Sequence, residues 1–398
     1  MGFPEKNAKV EQASNGMNIF LFFVLVIIII CTAAVAYLNS RGIDLKSVSL
    51  KELVENKFFI EGKDKYEINS YEIKYDANMH PVFGTHKNYI VKCTKDSIKY
   101  LDKKGEEQWS FPVLLNKPLI KSAGAYLMVA DIGGKDIYVF SGKDKKWEKK
   151  LDNNIINADI SKSGYVSVVH EEQRCRAAVT VFNRQGMSHF TAGRAENFIL
   201  SSMVSPSGNK VFINSIDSGG INIKPVLEIT DIYGTVLAGR PPKETGIFAS
   251  IWYLNDDVLL AVGDSDVVLL GKDLKEKWHR IVKGKIYSSG IVKGKYPVIA
   301  LSSEESTGVF GGDKTDVLIM DSDGKKVADY HIKEEVKSIK VYDNTIAASS
   351  GRHVYFIDSN GKLIGNYNSK AEIKDVQFFN NKEVLVVTRD SIIAVEIN

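Results

Sequence analysis

Arginine is scarce in this chain, with 9 residues against 43 lysines in a total of 398. Arginine supplies the bidentate contacts by which proteins read phosphates and bases. Net charge is only +3, from 52 basic and 49 acidic residues. A nucleic-acid binder would carry a basic face or stripe, so no nucleic-acid partner is expected. Cysteine is as sparse. Cys31, Cys93 and Cys175 are an odd number without metal-ligand spacing, and neither a disulfide framework nor a zinc site follows. Cys93 and Cys175 read as isolated thiols packed in strands. The seven histidines (80, 86, 170, 189, 279, 331 and 353) are dispersed, with no His-x-x-x-His pair. Gly133-Gly134, Gly219-Gly220 and Gly311-Gly312 lack the helix and lysine of a phosphate-binding loop and read as inter-strand loops.

One long uncharged run is present. Met17 to Leu38 carries no charge over 22 residues, and about 20 apolar residues span a bilayer as a helix. Tyr37 closes the run, where an amphipathic ring favours the interface. Ala34-Val35-Ala36 has the form of a signal-peptidase site. The run is nonetheless longer than the roughly 7–15 residues of a signal peptide's apolar region, so it reads as a retained anchor. Ile30 precedes Cys31, which argues against lipid attachment at that cysteine. The sequence therefore predicts a disordered cytoplasmic tail over 1–16 and a transmembrane helix over 17–38. A juxtamembrane stalk follows over 39–65. Within it, Ser49-Leu50-Lys51-Glu52 has the form of a capping box and opens a short helix over 47–56. Lys6 and Lys9 before the helix nearly balance Arg41, Lys46 and Lys51 after it, so charge alone does not orient the anchor.

From about Tyr66 the pattern changes to short alternating apolar runs separated by Gly, Asp, Asn and Ser. Such spacing points to a sandwich, barrel or propeller, and internal repetition decides among them. The recurring element is an apolar strand, Asp or Asn, two residues, Gly, then another strand. It appears at Asp102–Gly105, Asn183–Gly186, Asp231–Gly234, Asp321–Gly324 and Asp358–Gly361. Ser141-Gly142 and Gly271 mark degenerate copies. The Asp or Asn side chain bonds the backbone two residues on and Gly takes a positive φ, which closes a hairpin. Trp109, Trp147, Phe190 and Trp278 follow the turns and supply bulk for packing between sheets.

Turn spacing of 37 to about 50 residues suits four strands per blade. Eight units are expected, near 81–113, 117–151, 154–191, 197–239, 245–281, 285–331, 335–367 and 371–398, with seven as the alternative. The last unit lacks a fourth strand. Residues 66–75 are expected to supply it, closing an all-β propeller over 66–398 and removing open edges.

The Asp102…Gly105…Trp109 element and its copies resemble the PQQ-like, quinoprotein-like or WD40-like, propeller repeats. The layout of tail, single helix and divergent propeller is similar to a membrane-anchored propeller family of clostridia. The excess of Lys, Ile and Asn over Arg suits such an AT-rich source. This resemblance implies an extracytoplasmic propeller without an assigned activity, with its N-terminus cytoplasmic. Enzymes of the wider superfamily bind quinone and calcium with a vicinal cysteine pair. None exists here, so no cofactor is implied.

No residue is assigned a catalytic, cofactor-binding or metal role. Asp321-Ser322-Asp323-Gly324 looks like part of a calcium loop, but a strand follows where ligands would continue. Ser207/Lys210, Ser322/Lys325 and Ser359/Lys362 match a Ser-x-x-Lys spacing that works when Ser opens a helix, and all three fall at hairpins. His170–Arg176 reads as a solvated hairpin, with a binding loop as the alternative, and Ser302–Thr315 as the other candidate surface loop. The expectation is a non-catalytic interaction scaffold at the cell membrane, with an envelope protein as partner. A glycan or peptide sensor is the alternative, and a hydrolase is third.

Overall fold

The computed structural model describes residues 70–240, 247–303 and 314–397, and six helical residues at 24–26, 28–29 and 32. Two units are distinguished, and residues 70–240, 247–303 and 314–397 fall in the second. The expected anchor 17–38 lies outside the described residues except for those six. The expected tail and stalk lie wholly outside them. Among the described residues, no helix is long and apolar enough to cross a membrane.

The second unit holds eight four-stranded antiparallel sheets. Seven are continuous meanders, spanning 82–112, 118–150, 155–194, 198–240, 250–281, 286–332 and 338–368. They are blades 1 to 7. Blade 8 takes Asp375–Phe378, Glu383–Val387 and Ser391–Glu396 from the end of the chain and Ser70–Lys74 from its start. Ser70 pairs with Val395 and Lys74 with Ser391. Ser70–Lys74, within the 66–75 expected to close the ring, make this pairing; residues 66–69 lie outside the described residues.

Strand position sets composition. Second strands lie between neighbouring blades and are covered on both faces, so they read as continuous apolar runs. Tyr126–Asp131, Val258–Val262 and Glu383–Val387 are almost wholly buried. Outer strands meet water and alternate. In Asp144–Lys150 only Trp147 is buried, and its lysines discourage pairing with another chain's edge. The core is eight apolar packets, one at each junction between consecutive blades.

The repeated turn has the expected geometry. Asp102 Oδ1 accepts from Lys104 N and Glu106 N at 2.9 and 3.0 Å, and Gly105 takes φ +85°. The same bonds recur at Asn183, Asp231, Asp321 and Asp358. Each is followed by a one-residue register shift where the outer strand begins. Blade 5 lacks the glycine, and Asp273 and Leu274 take positive φ instead.

The aromatics after the turns do pack between sheets. A Cβ on Gly186 would sit 2.8 Å from the Trp147 ring of the preceding blade. Gly234 meets Phe190 and Gly324 meets Trp278 in the same way. Trp109 instead packs edge-on against Phe140 of blade 2, with ring centroids 5.4 Å apart.

Candidate functional site

The first strand of each blade lines the central channel, and polar side chains join neighbouring blades around the axis. His86 Nδ1 meets Ser122 Oγ at 2.9 Å between blades 1 and 2, and Lys121 Nζ meets Asp159 at 2.8 Å between blades 2 and 3. Asn157 donates to Leu200 O and Asn214 to Phe248 O, both at 3.0 Å, at the next two junctions. Trp252 Nε1 donates to Ser289 Oγ at 3.3 Å, and Ser288 Oγ accepts from Ile339 N at 3.0 Å. Lys340 lies 3.7 Å from Asp375, and Thr85 donates to Phe378 O at 2.9 Å, completing the circuit. Every junction therefore has a polar bridge. Such groups are costly to bury unless they are bonded.

The channel widens on one side into a cavity of about 280 Å³ between the first strands of blades 5 to 8. Trp252, Ser289, Lys340, Gln377 and Phe378 are among its walls. Close approach of strands shapes it: a Cβ on Gly290 would fall 2.7 Å from Val341. Tyr342 stacks on Phe378 with centroids 5.8 Å apart. A second cavity of about 170 Å³ opens at the seam of blades 8 and 1, walled by Tyr75, His80, Val82, Lys374, Asp375 and Arg389 among others. Tyr75 donates to Thr388 O at 2.7 Å. Burial, then the nearby Asp390 carboxylate, raises its hydroxyl above the ordinary value.

The residues singled out from sequence do not converge. Cys93 is fully buried in blade 1, where burial and then the Asp131 carboxylate push its thiol up to about 12. Cys175 is half-buried in blade 3, and both are free thiols. Asp321 accepts from Asp323 N and Lys325 N, both at 2.9 Å. Its carboxyl is committed to the turn, and the Lys325 backbone bond foremost holds it below the usual carboxylate range. Ser207 and Lys210 lie on a turn, bonded to Asp256 and Asp257 of blade 5. Ser322 and Ser359 likewise sit in turns. Among the described residues, no group of three His, Cys, Asp or Glu is placed to hold a metal ion.

His170–Arg176 is a hairpin, with Val166–Glu172 and Cys175–Phe182 joined by the turn Gln173-Arg174; His170 faces inward, bonded to Thr180 Oγ1 at 2.8 Å, and Thr180 to Thr191 at 2.8 Å. Most of Ser302–Thr315, including Gly311-Gly312, lies outside the described residues. The other histidines are distributed. His189 lies between Tyr165 and Tyr233 with its ring tilted to both, while His279 and His331 pair with Asp266 and Asp316 at 2.6 and 2.8 Å.

One buried polar cluster went unread in the sequence. Glu334 lies between blades 6 and 7 and faces His353 Nδ1 at 2.7 Å, Tyr355 OH at 3.0 Å and Ser350 Oγ. Burial alone would raise its carboxyl, but His353, Ser350 and Tyr355 outweigh that and hold it below the usual range. Ser350 and His353 both face the carboxylate rather than each other. The arrangement knits two blades and is not a nucleophile with its base.

Residues 60–397 match the family of unknown function DUF5711. The chain belongs to that family. None of the curated proteins matches it. Among solved structures, the fold is similar to that of BamB from Moraxella catarrhalis, at 11% identity and a TM-score of 0.53, covering 83% of this chain and 100% of that one. It is also similar to a eukaryotic initiation factor, at 13% identity and a TM-score of 0.54, covering 80% of this chain and 85% of that one. At such identities the likeness is one of fold. The chain is a BamB-like, eight-bladed propeller.

Proposed function

We propose that this protein is a non-catalytic interaction platform, held at the cell membrane by residues 17–38, whose propeller engages a protein of the envelope from outside the cytoplasm. One observation carries the reading. The polar side chains near the axis bridge blades, whereas several large apolar side chains of blades 4 and 5 are grouped uncovered on one face. Strand direction puts the start of each first strand, the loop between second and third strands, and the end of each fourth strand on the same face. On that face in blades 4 and 5, Ile221 is fully exposed, Ile281 is 75% exposed, and Phe198, Ile223 and Ile247 are each at least 40% exposed. The Arg176 guanidinium lies 4.3 Å over the Phe198 ring. Apolar side chains rimmed by polar loops mark surfaces for protein contact.

In-cell crosslinking of the tagged full-length chain tests this, against a control carrying residues 1–65 alone. A stoichiometric envelope protein is expected with the full chain, and its loss with Ile221→Glu plus Ile281→Glu. The reading fails if the same protein is captured by the control or by the double variant. Alkaline extraction of membranes tests the anchor separately, and release into the supernatant would remove it.

A further inference from the structure

We infer that the channel cavity of blades 5 to 8 is a binding site for an acidic carbohydrate. These residues are separate from the exposed face above. Trp252 is 39% exposed although it stands in the channel wall. Its Nε1 donates to Ser289 Oγ at 3.3 Å, and Ser289 is itself buried at 7% exposure. The indole is thus set in orientation before any ligand arrives, which lowers the cost of ordering it on binding. A fixed, uncovered aromatic plane suits the C–H face of a pyranose ring.

The polar groups on the same wall suit the hydroxyls of such a ring. Gln377 Nε2 donates to Asp375 Oδ2 at 2.6 Å, which turns its carbonyl oxygen away as an acceptor. Lys340 Nζ pairs with Asp375 at 3.7 Å, a contact longer than a hydrogen bond, and brings its ammonium to the cavity wall. Asp375 and Gln377 alternate on one strand and therefore share a face. Asp375 walls the seam cavity, beside Lys374 and Arg389. Among the charged side chains that wall that cavity, Lys374 and Arg389 outnumber Asp375, which favours a ligand that carries carboxylates. The main cavity of about 280 Å³ is at the small end of ligand pockets, which run about 300–1,000 Å³. It accommodates one or two sugar rings, with the rest of an oligomer leaving through the channel mouth.

The test is titration of the full-length chain in detergent with tetragalacturonate, maltotetraose and an acidic tetrapeptide, read by tryptophan emission and by calorimetry. Saturable binding of tetragalacturonate is expected, with maltotetraose weaker. Trp252→Ala should weaken the acidic sugar by about tenfold, the scale of one lost aromatic contact, and Trp252→Phe should retain most of it. Lys340→Gln should narrow the difference between acidic and neutral sugars. Should Trp252→Ala not fold, Gln377→Ala and Lys340→Gln carry the same comparison. The inference is overturned if neither sugar binds, if the tetrapeptide alone binds, or if the folded variants bind as the parent does.

Discussion

Trp147 joins two blades. It is 7% exposed, on an otherwise solvated outer strand, and it lies against Gly186 of the next blade. Gly186 has φ +77°, a conformation L side chains rarely adopt, and its missing side chain is the space the indole fills. Gly186→Ala is therefore expected to destabilise the chain by about 1–3 kcal/mol, through overpacking and backbone strain together. Trp147→Ala should cost about 3–5 kcal/mol. Urea unfolding of each variant measures both, and a midpoint unchanged by Gly186→Ala would refute the account.

His86 makes a second residue-scale case. It is 1% exposed at the end of its strand. Burial, with Lys87 adding to it, pulls its imidazole down from 6.5 to about 4. The unfolded chain then takes up a proton that the folded chain refuses, so stability falls as pH drops from 6.5 toward 4. His86→Gln should lose that part of the acid sensitivity. Comparing urea midpoints at pH 7 and pH 5 shows whether the gap narrows as expected.

At the level of the element, the Asp-x-x-Gly turn was legible because all its chemistry is local. An Asp or Asn, a Gly three residues later and a following strand are enough to specify it, and five copies fold alike. Blade 3 uses Asn183, whose Oδ1 accepts from Gln185 N and Met187 N at 2.9 and 3.0 Å, as the aspartates do elsewhere. Backbone bonds, to Thr235 and Lys325 first, hold the Asp231 and Asp321 carboxyls below the usual range. Their contribution is present above the ordinary carboxylate value and is lost as pH falls through the lowered one. Asp231→Asn with Asp321→Asn should fold normally at pH 7 and show a flatter loss of melting temperature toward pH 3. A double variant with the parent's acid profile would show that these turns do not titrate with folding.

At the scale of the molecule, blade number and ring closure were also legible, since repeat spacing and one orphan strand imply both. The polar circuit around the axis was not. Its members belong to different repeats, as Lys121 and Asp159 or Lys340 and Asp375 do, and nothing at either position marks its partner. The same holds for Glu334 with His353, which meet only because two blades abut, and for Trp252, whose exposure depends on the ring being closed. Side-chain convergence across blades is a product of the fold, so a search along the sequence finds turns and strands before it finds sites.

Blade 8 is the one blade whose strands come from both ends of the chain, so ring closure rests on backbone pairing from Ser70–Val395 to Lys74–Ser391. A circular permutant separates that pairing from the packing it accompanies. Joining Asn398 to Tyr66 and opening the chain between Asp152 and Asn153 would give blade 8 a covalent hairpin like the other seven. The ring would then close between blades 2 and 3 through the packet containing Met128, Ile155 and Val166, the bridge from Ile132 to Ile155 and the Lys121–Asp159 pair. Such a permutant should keep its eight blades but unfold at lower urea. Amide exchange should quicken at the first strands of blades 2 and 3 and slow in blade 8, because the weakest joint of the ring has been moved a quarter-turn round the axis.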